Sequence, residues 1–142
     1  QQKHPESYMG SGKMGWPVPG YSYITSDFGY RIHPILKTRR FHHGIDIRAP
    51  KGAKVVASEN GRVVFVGRKV AYGKAIIIDH GGGISTQYSH LWKYYVSVGD
   101  KVEKGQAIGA IDSTGWSTGN HLDFIIRVNG KPRNPVNYVS SK

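Results

Sequence analysis

The sequence contains no cysteine, which excludes disulfide staples, thiolate metal sites and cysteine nucleophiles together. Any metal must therefore be held by His, Asp or Glu. No apolar run approaches the roughly 20 residues that span a bilayer, so the chain is not a membrane span. Acidic residues are scarce: nine Asp and Glu stand against 20 Lys and Arg, a net charge of +11. That balance predicts attraction to polyanions, whether nucleic acid, anionic lipid or the acidic polymers of a cell envelope, without choosing among them. Also missing is any segment that holds a 3.6-residue apolar period for three turns, which removes amphipathic helices as the building block.

What is present is a chain of 142 residues, 38% hydrophobic, long enough to bury one core without staples. Residues 1–15 are polar and Gly-rich (Gly10-Ser11-Gly12-Lys13) and read as a linker, with the folded unit, 16–142, starting at Trp16-Pro17-Val18-Pro19. Short β-rich runs then recur between Gly and Pro punctuation: Lys54–Ala57, Arg62–Val66, Ala75–Ile78, Ile84–Leu91 and Leu122–Val128. The expected class is all-β. Gly81-Gly82-Gly83 reads as a hairpin turn. The alternation from His121 to Val128 puts Leu122, Phe124, Ile126 and Val128 on a core face and His121 with Asp123 on the other. Lys51-Gly-Ala-Lys-Val55 and Val98-Gly-Asp-Lys-Val102 suggest a duplicated β motif.

Seven histidines in a cysteine-free chain direct attention to metal chemistry. His4 falls in the linker, His33 precedes Pro34 in a turn, and His80 closes a strand before three glycines, where bonding to turn backbone is the plainer role. His42 and Asp46 differ, because two potential ligands stand four apart around Gly44. In a straight strand they would be about 13 Å apart, so the chain must bend, and the φ freedom of Gly44 is expected to supply the bend. His121 and Asp123, at i and i+2 on one strand face, can address a single site, with His90 arriving from a neighbouring strand.

Taken in order, Ile24-Thr-Ser-Asp-Phe-Gly-Tyr-Arg-Ile-His-Pro34, His42-His-Gly-Ile-Asp46, Tyr88-Ser-His-Leu91, Val98 to Gly109 and Ser117-Thr-Gly-Asn-His-Leu-Asp-Phe124 resemble the lysostaphin-type, or LytM-like, zinc endopeptidases of bacterial cell walls. The likeness runs from Trp16 to Tyr138. It implies an antiparallel β framework with a substrate groove, and Zn²⁺ held by the His and Asp of H-x-x-x-D and the second His of H-x-H. Carried over, His42 and Asp46 are metal ligands, and His90 and His121 are the catalytic histidines acting beside the metal. This chain has Asp123 at the third ligand position, and Ile125 where relatives often carry Glu. Asp123 reads as a ligand exchange, a loss of activity or a deliberate substitution. Its carboxylate reaches about as far from Cβ as a histidine Nδ1 does, so coordination is possible, but a second anionic ligand acidifies water on Zn²⁺ less than imidazole.

The resemblance therefore implies a zinc-dependent endopeptidase cutting peptide cross-links of peptidoglycan, as a monomer, in the cell envelope, with a signal peptide or membrane anchor expected upstream of Gln1. The alternative is a degenerate wall-binding or regulatory domain, such as an amidase activator or envelope complex component. Nucleic acid is not an expected partner, since aromatic and basic residues are not interleaved as a stacking motif.

Overall fold

The computed structural model describes residues 13–32, 39–70, 72–111 and 120–140. Thirteen strands occupy them: β1 (Ile24–Ser26), β2 (Gly29–Ile32), β3 (Arg39–His42), β4 (Ile45–Arg48), β5 (Lys54–Val56), β6 (Gly61–Lys69), β7 (Gly73–Asp79), β8 (Ile84–Ser89), β9 (Leu91–Tyr94), β10 (Lys101–Val102), β11 (Ala107–Ile111), β12 (His121–Val128) and β13 (Lys131–Arg133). Among the described residues the one helical element is a single 3₁₀ turn at Pro135–Asn137. The fold is all-β and its strand pairs are antiparallel, as the punctuated β runs predict.

The main sheet runs β1-β4-β12-β8-β7-β6-β10, with β13 joining β12 beyond the end of β4; β5-β11-β9 and β2-β3 form two smaller sheets. Between the sheets lies one core of Ile45, Ile47, Ile76, Ile78, Tyr88, Leu91, Ile108, Ile111, Leu122, Phe124 and Ile126, each aliphatic member contributing about 1.5–3 kcal/mol by leaving water. Of the predicted inward residues, Leu122, Phe124 and Ile126 are in it, while Val128 at the end of β12 is only partly buried and lies outside it. The opposite face of β12 is not simply wet, because Ile125 is also fully buried.

Three sequence expectations are refined. The run Ile84–Leu91 is two strands, broken at His90, whose φ is +65°. The two Gly-x-Lys-Val segments repeat a local conformation, a positive-φ glycine followed by an exposed Lys and a buried Val, but β5 pairs with β11 while β10 pairs with β6. Of the stretch read as a linker, Met14 is buried and exchanges hydrogen bonds with Tyr138 and Ser140; residues 1–12, including His4, lie outside the described residues, as does His33.

Gly44 bends the chain between β3 and β4, but for want of space and not through an unusual φ. A Cβ there would sit 2.2 Å from the Phe124 carbonyl oxygen and 2.8 Å from Ile125 Cγ1. Gly44→Ala should therefore cost about 1–3 kcal/mol of stability through overpacking, read from urea unfolding. An unchanged midpoint would show that the turn yields freely.

The β7–β8 hairpin turns through Gly81, Gly82 and Gly83, all at positive φ, and is fastened by fully buried His80. Its Nδ1 donates to the Asn60 carbonyl at 2.8 Å, far along the chain and not in its own turn, and its Nε2 is 2.8 Å from the Thr86 hydroxyl. Thr86 lies 2.7 Å from the Tyr88 hydroxyl, which accepts the Ser58 amide at 3.0 Å. Burial holds His80 below the ordinary 6.5, outweighing its hydrogen bond to Asn60. Between its own value and 6.5 the unfolded chain binds the extra proton, so stability is full above pH 6.5 and falls as pH drops through that window. The pH slope of the unfolding midpoint should flatten there in His80→Gln; equal slopes would absolve His80.

Candidate metal centre

Register builds the site. Asp46 of β4 and Asp123 of β12 are direct cross-strand partners, and Asp123 faces Ser89 of β8 on its other side. Residues opposite one another share a face, so the two carboxylates stand side by side. On that face Arg127 Nη1 donates to Gln87 Oε1 and Gln87 Nε2 to Ser89 Oγ, each at 2.9 Å, a polar row that fixes Ser89 beside Asp123.

His42, the last residue of β3, is brought over this pair by the His43-Gly44 bend that follows it and leads into β4. Its Nδ1 is 3.1 Å from the Asp27 carbonyl oxygen and 3.2 Å from Ser26 Oγ. A carbonyl can only accept, so Nδ1 carries the proton and the Nε2 lone pair is turned inward. Nε2 lies 3.5 Å from Asp46 Oδ1 and 3.6 Å from Asp123 Oδ1. Both oxygens are buried with no hydrogen-bond donor. All three ligand atoms fall within 4.8 Å of one another.

Lone pairs and anionic oxygens converging in a buried place repel unless something positive stands between them. Tetrahedral ligands at about 2.0–2.2 Å from a metal are separated by about 3.3–3.6 Å, the spacing observed between His42 and each carboxylate. The donor set thus fits a small divalent cation such as zinc. Without a cation a proton must serve: burial, then the charge of Asp123, push the Asp46 carboxyl above its usual range. For His42 burial pulls the value down, but the close contact and charge of Asp123, with Asp46 and the Asp27 carbonyl, carry it above 6.5.

His121 opens β12, with Nε2 3.9 Å from Asp46 Oδ1. His90 arrives from the break between β8 and β9: its amide donates to the Tyr72 carbonyl at 2.9 Å, and its ring meets that of His121 edge to face at 5.0 Å. All five residues singled out by sequence, His42, Asp46, His90, His121 and Asp123, are gathered here. His43 is exposed, its ring tilted against that of Phe41 at 5.1 Å, and takes no part in the cluster. Sequence reasoning did not single out Ser26 and Asp27, which orient His42, or Tyr72, which anchors His90. The first two lie inside the quoted Ile24–Pro34 motif; Tyr72 carries no signal beyond its place beside Gly73.

In metal-free protein the His42 imidazole should titrate above 6.5, and Asp123→Asn should lower that value, as read by NMR. The sign follows from the raised value: His42 contributes stability that is present below pH 6.5 and lost as pH rises through its own folded value. An unmoved titration in the Asn variant would mean that Asp123 is not the partner.

Comparison with known proteins agrees with this geometry. Residues 40–135 match peptidase family M23. The DD-carboxypeptidase/endopeptidase Mpg of Neisseria meningitidis serogroup B is 50% identical over 116 residues, covering 82% of this chain and 27% of Mpg. The peptidoglycan DD-endopeptidase ShyA of Vibrio cholerae is 38% identical over 122 residues, 85% of this chain and 28% of ShyA. The chain thus spans little more than a quarter of these curated relatives. The crystal structure of a zinc-containing peptidase from Vibrio cholerae superposes with a TM-score of 0.82 at 34% identity, over 89% of this chain and 40% of that one. A match that takes in most of the fold and every residue of the cluster settles descent: the chain belongs to peptidase family M23.

Proposed function

We propose that this chain is a zinc-dependent endopeptidase that hydrolyses peptide cross-links of bacterial peptidoglycan in the cell envelope, its peptidase domain taking in Met14 and Gly15 as well as the residues from Trp16 onward. The observation that carries the reading is the convergence of two buried carboxylate oxygens without donors, Asp46 Oδ1 and Asp123 Oδ1, on the inward lone pair of His42. These three residues would hold the zinc. When bound, zinc supplies Lewis acidity toward a scissile carbonyl and makes a hydroxide-like nucleophile accessible near neutral pH. The names of Mpg and ShyA, as endopeptidases, support the substrate class.

His90 and His121 supply proton transfer. Imidazole titrates near the working pH, and two rings in edge-to-face contact at 5.0 Å can divide the work, one taking a proton from the attacking water and one giving a proton to the leaving amine. The partly exposed His121 has its Nε2 3.9 Å from Asp46 Oδ1, beside the candidate metal position. His90 is held by its backbone in a left-handed conformation, which fixes where its ring points.

Asp123 sets the level of activity. A His-Asp-Asp set brings two negative charges to the cation where a His-Asp-His set would bring one, and this lessens its pull on electrons. The same carboxylate favours a second reading, a wall-binding or amidase-activating domain without turnover. Retention of the His90–His121 pair, for which binding alone has no use, favours hydrolysis.

Two measurements test the proposal. Metal analysis of protein prepared without chelator should find about one zinc per chain, lost in His42→Ala; stoichiometric zinc in that variant would overturn the ligand set. Asp123→His should raise hydrolysis of purified sacculi by about tenfold or more, equivalent to at least about 1.4 kcal/mol of barrier, with cleaved cross-links identified by mass. New reducing sugar ends would overturn the substrate claim, and zinc-loaded but inert protein in both forms would favour the binding reading.

A further inference from the structure

Strand β9 presents an indole in a collar of ammonium groups. Trp92 is 38% exposed; Lys51 Nζ and Lys93 Nζ lie 4.7 and 4.5 Å from its ring centroid. Lys74 Nζ donates to the Trp92 carbonyl at 3.2 Å and stands 5.9 Å from the neighbouring Tyr94 ring. The three lysines come from separate segments: the turn after β4, strand β7 and β9 itself. Among the described residues no carboxylate forms an ion pair with any of them. Gathering like charges on one ring without a counter-anion is unfavourable in isolation, and cation–π contact offsets only part of that. The arrangement is therefore short of negative charge, which a ligand can bring.

The collar adjoins the candidate site on its histidine flank. Trp92 follows His90 by two residues. Lys74 follows Gly73, where a methyl group would stand 3.9 Å from His90 Nδ1. Lys51 lies three residues beyond Arg48, the cross-strand partner of His121. These short connections tie the collar to the segments that carry His90 and His121.

We propose that Trp92 with Lys51, Lys74 and Lys93 forms a subsite for the carboxylate-bearing peptide stem of the wall polymer, beyond the scissile bond. The inference rests on the peptidoglycan reading above. Ammonium groups are compact point charges on flexible stems and can follow carboxylates spaced along a peptide. The indole offers a flat apolar face to the stem's methyl and methylene groups. A single exposed indole within three charges is a poor track for nucleic acid, which takes several aromatic platforms along a basic groove.

The test is binding to purified sacculi, measured by sedimentation across a salt series, with native sacculi and with sacculi whose free carboxylates have been converted to amides. It reads binding and not turnover, so an inert protein serves equally. Lys51→Gln/Lys93→Gln and Trp92→Ala should each weaken binding to native sacculi by about tenfold, and the double variant should be indifferent to amidation. The charge-matched control Lys101→Gln/Lys131→Gln, from exposed positions on other strands, should bind as the parent does. Failure of the parent to bind any sacculi would overturn the peptidoglycan reading and this subsite with it. Normal parent binding that the variants leave unchanged, or that both pairs of Gln substitutions weaken equally, would overturn the subsite alone. Loss of binding to native and amidated walls by the same factor would overturn the carboxylate assignment, as would a loss confined to DNA binding.

Discussion

Everything at the site follows from placing Asp46 opposite Asp123. Once β4 and β12 are in register, two carboxylates share one face of the central sheet, and their mutual repulsion makes the location demand positive charge. β12 has partners on both edges over this stretch, β4 and β8, so a slip in register would break two ladders at once. The core behind them, Ile45 and Ile47 on one strand and Leu122 and Phe124 on the other, holds that register by burial. Electrostatic strain in front is thus sustained by hydrophobic packing behind. A cation turns the strain into binding energy.

The imidazoles are delivered by irregularities, not by strands. His42 reaches the carboxylates because the chain reverses at a glycine with no room for a side chain, and His90 because its own residue breaks β8 from β9 in a left-handed turn. The left-handed conformation at His90 costs of order 1 kcal/mol or more and persists where the surroundings over-determine it. Here the His90 amide is tied to Tyr72, and the hairpin carrying it is fastened through His80, Thr86 and Tyr88.

Much of this was legible in the sequence. Period-2 alternation assigned Leu122, Phe124 and Ile126 to the core and put His121 and Asp123 on one face, and the spacing of His42 and Asp46 required a bend between them. What stayed hidden depends on contacts distant in sequence. That Gly44 is selected by the Phe124 carbonyl, 80 residues away, has no local signature; intrinsic flexibility was the local explanation and it is not the one the structure uses. The break at His90 was invisible because Ile84–Leu91 has β propensity throughout. The orienting role of Asp27 is carried by its backbone carbonyl, and a carbonyl leaves no trace in residue type.

The parallel bridge between Met14 and Val139 has a mechanical consequence. Chain enters and leaves the fold at one point, with Met14 bonded to both Tyr138 and Ser140. Flanking segments in any longer polypeptide are therefore brought together and not spaced apart, so the unit hangs from its tether like a bead tied at a single knot. Tension along such a tether loads the bridge first and leaves the sheet bearing the carboxylates outside the line of force.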